Sequence, residues 1–406
     1  MGDIVFGPTA GFVRPATLRR SRAATVPLRH VDGLLLLAVL GLSGFGLVMI
    51  YAATASSLVT QGLDPRLFVE RQITSLVLGL GVMVVLAAVD YRTLTRWAAF
   101  AYIGAVALLA ATLVAGEVVN TSQSWLSVGG LQLQPAELAK PALVLALASL
   151  VGERRQPRPG PRVLLGMLLL AGVPMALIAA QPDLGTLLVF AAVLFGVVLL
   201  SGVKVRYIVL LVLLGVLAVG GVVRMDVLED YQLERLTAFL HPESAPEAAT
   251  YNVTQAQIAI GSGQLGGRGL FQGSQTSLSY VPENHTDFIF TVIGEELGFV
   301  GAAGTLGAYA LLIWRALRIA ALSRDRVGTI IASGVVTVFT FQVAVNVGMA
   351  VGLLPVTGLP LPLISYGGTS LVGSLAMVGL LQNVHLHRFG RRGVTLVSST
   401  LAGGWG

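Results

Sequence analysis

Residues 33–53 read GLLLLAVLGLSGFGLVMIYAA, twenty-one positions without a charged side chain. A helix needs about 20 mainly apolar residues to cross the hydrocarbon core of a bilayer, and this stretch has that length. Nine similar stretches follow, near 73–89, 97–115, 134–151, 163–180, 184–201, 206–223, 288–314, 327–354 and 363–384. The pattern predicts an all-α, polytopic integral membrane protein with about ten transmembrane helices. Composition agrees. Of 406 residues 55% are hydrophobic and 11% charged, too few charges to cover a water-facing surface, where roughly 25% is usual.

The chain has no cysteine, so disulfides and thiolate-bound metals are excluded, and its five histidines are scattered. The formal net charge of +6 would suggest nucleic acid in a soluble protein. Here its distribution points to topology instead. Lys and Arg gather in the tail 1–32, in the connections 90–96, 152–162, 202–206 and 315–326, and after 384. The other side holds Arg71, Arg66, Arg224, Arg235 and Arg268, while Lys140 falls inside a span. The positive-inside rule makes the basic side cytoplasmic. Both termini then lie inside, as an even number of spans requires. The division that follows is a cytoplasmic Arg-rich tail 1–32, a membrane domain 33–388 and a cytoplasmic tail 389–406. The first span follows a thirty-residue tail and reads as a retained anchor rather than a cleaved leader. One long extracytoplasmic loop, 224–287, opens with an amphipathic stretch, Val227 to Leu240, and turns rich in Gly, Ser and Gln from Gly261 to Ser279.

Ionisable groups at membrane depth are costly, and each is a candidate for function. In QPAELAKP (134–141), Glu137 and Lys140 are three apart and share a helix face near the outer surface. They are either an ion pair that makes the helix insertable or a grip on an anionic substrate. Asp183, in QPDLG (181–185), is either an N-cap or a site carboxylate. Asp287, in HTDF (285–288), has the same two readings, but the long loop delivers it to the leaflet that holds Asp183, Glu137 and Lys140. Glu295 and Glu296 are deeper, and Glu296 points nearly opposite Asp287. Their expected role is to bond neighbouring helices. Arg71, Arg235 and Arg268 could hold a phosphate or pyrophosphate, or be solvated surface charge. In LLPVTGLPLPLISYGGTS (353–370), Pro355, Pro360 and Pro362 forbid a regular helix, and Gly367 and Gly368 allow close packing. Irregular backbone at this depth belongs in the protein interior or beside a cavity. The expectation is an outward-opening cavity.

Together with ERLTAFLHPE (234–243), the run YNVTQAQIAIGSGQLGGRGLFQGSQ (251–275) and PENHTDFIFTVIGEELGFVG (282–301), these motifs resemble the SEDS family (shape, elongation, division and sporulation) in the same order over nearly all of 33–388. GRGLFQGSQTSL (267–278) resembles the elongation branch, RodA, rather than the division branch, FtsW. His241 stands where the family pattern carries an acidic residue. The resemblance implies a ten-helix peptidoglycan glycosyltransferase of the bacterial cytoplasmic membrane, acting on lipid II and the undecaprenyl-linked glycan. It also implies a class B penicillin-binding protein as partner. It carries the family's essential aspartate onto Asp287, its motif carboxylate and lysine onto Glu137 and Lys140, and its second aspartate onto Asp183. Lys140 and the outer arginines, or a divalent cation such as magnesium or manganese, would then face the leaving pyrophosphate. A lipid II flippase and a non-catalytic scaffold for the transpeptidase are the competing readings.

Overall fold

The computed structural model describes residues 30–119, 122–128, 131–152, 159–224, 237, 239, 247–278 and 280–388. Ten apolar helices stand where the ten spans are predicted. They are α1 (Gly33–Thr60), α2 (Leu67–Ala88), α4 (Ala98–Ala115), α5 (Pro135–Gly152), α6 (Pro161–Ala179), α7 (Leu184–Leu200), α8 (Val205–Arg224), α11 (Ile289–Ala321), α12 (Arg326–Ala350) and α13 (Gly368–His387). Eight are long and apolar enough to cross a membrane; α7, with 17 residues, and the stretch Val205–Leu217 of α8 are shorter apolar helices. A short α3 (Tyr91–Arg96) links α2 to α4 on the basic side.

Side-chain pattern decides which helices are central. In α5 and α12, 72% of the most apolar window is buried, and in α13 83%, against 17% in α2. The central helices carry small and polar residues that let backbones approach, the usual driving force for helix association in lipid. Gly373 of α13, for example, lies against the backbone of Glu137 in α5. The peripheral helices turn Leu37, Val77 and Phe100 outward, which suits hydrocarbon.

Three features depart from the predicted plan. A three-stranded antiparallel meander, β1 (Glu117–Val119), β2 (Ser122–Val128) and β3 (Leu131–Leu133), fills the outer connection between α4 and α5. Two helices, α9 (Glu247–Ser262) and the short α10 (Ser274–Ser277), occupy the outer loop. The last span begins at Gly368, not 363, because Pro360, Pro362 and Gly367 hold the preceding segment off the helix. The amphipathic stretch 227–240 lies almost wholly outside the described residues.

The eighth span is interrupted at one residue. Gly298 sits at φ 65° and ψ −160°, dividing α11 into an outer piece and an inner one. A side chain there would meet the backbone of Gly267 and Leu265, so glycine satisfies both the left-handed φ and the close approach.

Candidate functional site

The outer ends of α2, α5, α7, α11, α12 and α13 meet at one place. At α5, the amide of Gln134 donates to Thr369 Oγ1, and that hydroxyl donates to the carbonyl of Gln132, both at 3.3 Å. These bonds seat the N-terminus of α5 against the start of α13. One turn in, Lys140 Nζ lies 2.6 Å from Glu137 Oε1, with the two residues 1% and 2% exposed. The predicted pair is real, and it is closed within the protein. An ion pair this deep must satisfy itself, because neither charge has water to fall back on.

Asp183 comes next. Its Oδ1 accepts from the amide of Thr186 at 3.0 Å, so it does cap α7. Gln134 Nε2 approaches its other oxygen at 3.5 Å. Burial pushes the Asp183 carboxyl pKa up; the bonds from Thr186 and the Lys140 ammonium pull the other way, and Glu137 adds to the rise. Asp183, Lys140 and Glu137 therefore feel one another's charge. The neighbouring Gln181 is buried and donates to Leu109 O at 2.8 Å and to Thr112 Oγ1 at 2.5 Å, which fixes the α6–α7 turn on α4.

The segment 353–367 bridges Asp183 to Asp287. Gly185 packs so tightly on the carbonyl of Thr357 that any side chain would collide with it. The next residue, Gly358, faces Asp287: a side-chain carbon there would sit 3.5 Å from Asp287 Oδ2. Asp287 itself is half-buried and is held by its backbone. Asn346 Nδ2, from α12, donates at 2.7 Å to the carbonyls of both Asp287 and Leu359. Ser365 Oγ donates to Thr286 O at 2.5 Å, and the Tyr366 amide to His285 O at 2.9 Å. No side chain caps α11, whose N-cap is Phe288. Pro360 and Pro362 run through this segment, and Pro362 is buried, with its carbonyl accepting from Tyr309 OH. The part from Leu359 to Ser365 is thus packed into the interior, while Leu353 and Leu354 are exposed, and Gly368 abuts Ser75 of α2.

Two residues that hold this site were not singled out in the sequence. Gln72, 2% exposed, donates to Ser365 O at 3.1 Å and accepts from the Gly367 amide at 3.2 Å. Asn346 is the other. Both are uncharged polar side chains inside apolar helices, a signal available beside the charged ones. Phe68, His285 and Tyr366 cluster above them with ring centroids 4.9–5.6 Å apart. Burial lowers the His285 pKa, which keeps its imidazole neutral at neutral pH.

The three outer arginines separate. Arg71 is exposed at the outer end of α2, next in sequence to the buried Gln72. Arg268 is exposed elsewhere; its guanidinium donates to Ser262 O at 3.3 Å and Ser274 Oγ at 3.2 Å. Arg235 lies outside the described residues. Among the described residues no three His, Cys, Asp or Glu side chains gather in one place.

Glu295 and Glu296 lie on the outer piece of α11 and hold the outer loop. The Glu295 carboxylate accepts from the amides of Gln275 and Thr276 at 2.8 and 2.9 Å and from Thr276 Oγ1 at 2.7 Å. This is the structural role expected, although the partner is the loop rather than another spanning helix.

Fold and site together define a multi-pass membrane protein with a carboxylate-bearing site at one face of its helical bundle. The chain belongs to the FtsW/RodA/SpoVE family of cell cycle proteins, whose model matches residues 33–389. It is 39% identical over 359 residues to the peptidoglycan glycosyltransferase MrdB of Escherichia coli K12, covering 88% of this chain and 94% of that one. It is 35% identical over 359 residues to the stage V sporulation protein E of Bacillus subtilis, covering 87% and 96%. Among solved structures it is similar to a crystal structure of the rod shape determining protein RodA of Thermus thermophilus, with TM-score 0.65, 33% identity and 89% and 98% coverage. It is also similar to a chain of a peptidoglycan synthase complex that coordinates polymerization and crosslinking, with TM-score 0.74, 34% identity and 89% and 99% coverage.

Proposed function

We propose that this chain is a peptidoglycan glycosyltransferase that polymerises lipid II on the outer face of the bacterial cytoplasmic membrane during elongation, with Asp287 as its general base. The observation that supports the assignment of the base is position: Asp287 is half-buried at the outer start of α11, with its carboxylate beside Gly358 and its carbonyl bonded by Asn346. In the reaction the 4-hydroxyl of the acceptor sugar attacks the anomeric carbon of the donor. The bond from that carbon to the diphosphate breaks, and the hydroxyl proton passes to Asp287. A half-buried carboxylate is a stronger base than one in water.

The buried pair changes what Lys140 can do. With 1% exposure and Glu137 at 2.6 Å, its ammonium does not reach a diphosphate at the surface. It acts as a positioning residue through Asp183. The exposed Arg71 is the described outer cation placed to meet the leaving diphosphate. A class B penicillin-binding protein supplies the crosslinking step.

The test is polymerisation of purified lipid II in detergent by the chain co-purified with its cognate penicillin-binding partner. Long glycan strands are expected. Intact complex and lipid with no polymer, together with lipid II movement across liposomes, would replace the enzyme with a transporter.

A further inference from the structure

Glu295 and Glu296 are neighbours in sequence and differ sharply in company. Glu295 is saturated by the loop donors described above. Glu296 is 1% exposed, yet only its Oε2 is bonded, by the amide of Phe271 at 3.1 Å. A nearly unpartnered carboxylate buried this deep is costly unless something else arrives to meet it. Its surroundings leave room for that. Glu296 lines a cavity of about 440 Å³ bounded by Tyr51, Ala52, Ala55 and Ser56 of α1 and by Phe271, Gly273 and Ser277 of the outer loop.

The wall of the cavity is held under strain. Phe271 has φ 64°, in the left-handed region that non-glycine residues avoid. In that conformation its amide reaches Glu296 and its ring packs edge-on against Tyr51, with centroids 5.6 Å apart. The cavity lies on the side of α11 facing α1, away from the Asn346 and Gly358 contacts of Asp287. It sits in the outer half of the bundle, since Ser56 is about one turn from the outer end of α1. Around it Val59, Leu270, Phe271 and Leu278 are exposed, an apolar rim suited to acyl chains.

We infer that this cavity is a lipid-headgroup site, distinct from the Asp287 site, in which Glu296 takes the primary ammonium of an outer-leaflet lipid. A charged donor is the partner that best compensates a buried carboxylate. The hydroxyls of Tyr51 and Ser56 line the same space and suit the phosphate ester of such a headgroup. A quaternary ammonium of equal charge has no N–H to offer.

The full chain, reconstituted in nanodiscs holding equal amounts of phosphatidylethanolamine and phosphatidylcholine, tests this by native mass spectrometry of the lipid retained. Wild type should favour phosphatidylethanolamine by about tenfold, the scale of one charge-assisted hydrogen bond. Glu296→Gln keeps the acceptor for the Phe271 amide and should lose the preference. Ser56→Leu, which fills the mouth while leaving Glu296 in place, should lose the lipid altogether. Free ethylamine at millimolar concentration should not displace the lipid, because the apolar rim holds the chains; displacement by ethylamine would overturn the assignment to a lipid. Equal retention of the two lipids by wild type, or an unchanged preference in both variants, would overturn the site itself.

Discussion

At the scale of single residues, the two outer aspartates answer to different forces. Asp183 caps α7, and burial raises its carboxyl pKa. A raised carboxyl adds stability below the ordinary value of 3.8 and loses it as pH rises through the folded value. Near neutral pH its charged form is therefore a burden on the fold. Asp183→Asn keeps the acceptor for Thr186 while removing that charge. Its melting temperature at pH 7 should equal or exceed that of wild type, and the difference should shrink toward pH 4; a fall of several degrees at pH 7 would refute this reading. These carboxylates were legible in the sequence because a charge in an apolar run stands out. The division of labour between them was not, because capping and enclosure depend on where Thr186, Gly358 and Asn346 arrive in space. The same holds for how fully Lys140 and Glu137 are enclosed, since their spacing gives the pair but not its 1–2% exposure.

At the scale of elements, the outer loop is organised by one side chain. Glu295 gathers the amides of Gln275 and Thr276 and the hydroxyl of Thr276. Glu295→Ala would strand those donors, with a cost of about 3 kcal/mol. It should speed hydrogen exchange of the 264–278 amides with little change in α12 and α13; unchanged exchange would contradict the role. Gly298→Ala adds left-handed strain of about 1–2 kcal/mol to a collision with the backbone of Gly267 and Leu265. It should lower the melting temperature while leaving the ten helices in place by circular dichroism, whereas a melting temperature equal to wild type would argue against both causes. The positions of the ten apolar helices were readable because length and hydropathy define them, and eight of the ten are long enough to cross a membrane. The meander at 117–133 was not, since its strands are short and pair only across turns, as Leu126 does with Leu133. Nor was α9, whose polar sequence resembles loop until it packs against α11 and α12. The start of α13 was misplaced by five residues, although Pro362 and Gly367 carried the stop signal.

At the scale of the whole molecule, the basic face is clamped while the outer face is irregular. Asp32, the N-cap of α1, lies 2.5 Å from Arg315 of α11 and 3.7 Å from His385 of α13. Asp325, the N-cap of α12, binds Tyr91 at 2.8 Å and Arg92 at 2.9 Å. Burial would raise both carboxyls, but their hydrogen bonds and the facing arginines outweigh it and hold both below 3.8. Such groups stabilise the fold above that value, and the stabilisation is lost as pH falls through the lowered folded values. The protein should therefore lose stability below about pH 4. Asp32→Asn, which breaks a buried pair at a cost of about 3 kcal/mol, should be less stable at pH 7 and show a flatter acid limb; an unaltered acid limb would count against the clamp. This fixed floor suits the proposed placement of the chemistry at the opposite face, where the proline-broken segment and the start of α11 meet. The measurement that tests that account most directly is glycan synthesis from lipid II by wild type and by Asp287→Asn, each purified with the cognate penicillin-binding partner and matched in melting temperature. Long strands from wild type and none from Asp287→Asn are predicted. Strands of wild-type length and yield from Asp287→Asn would contradict it.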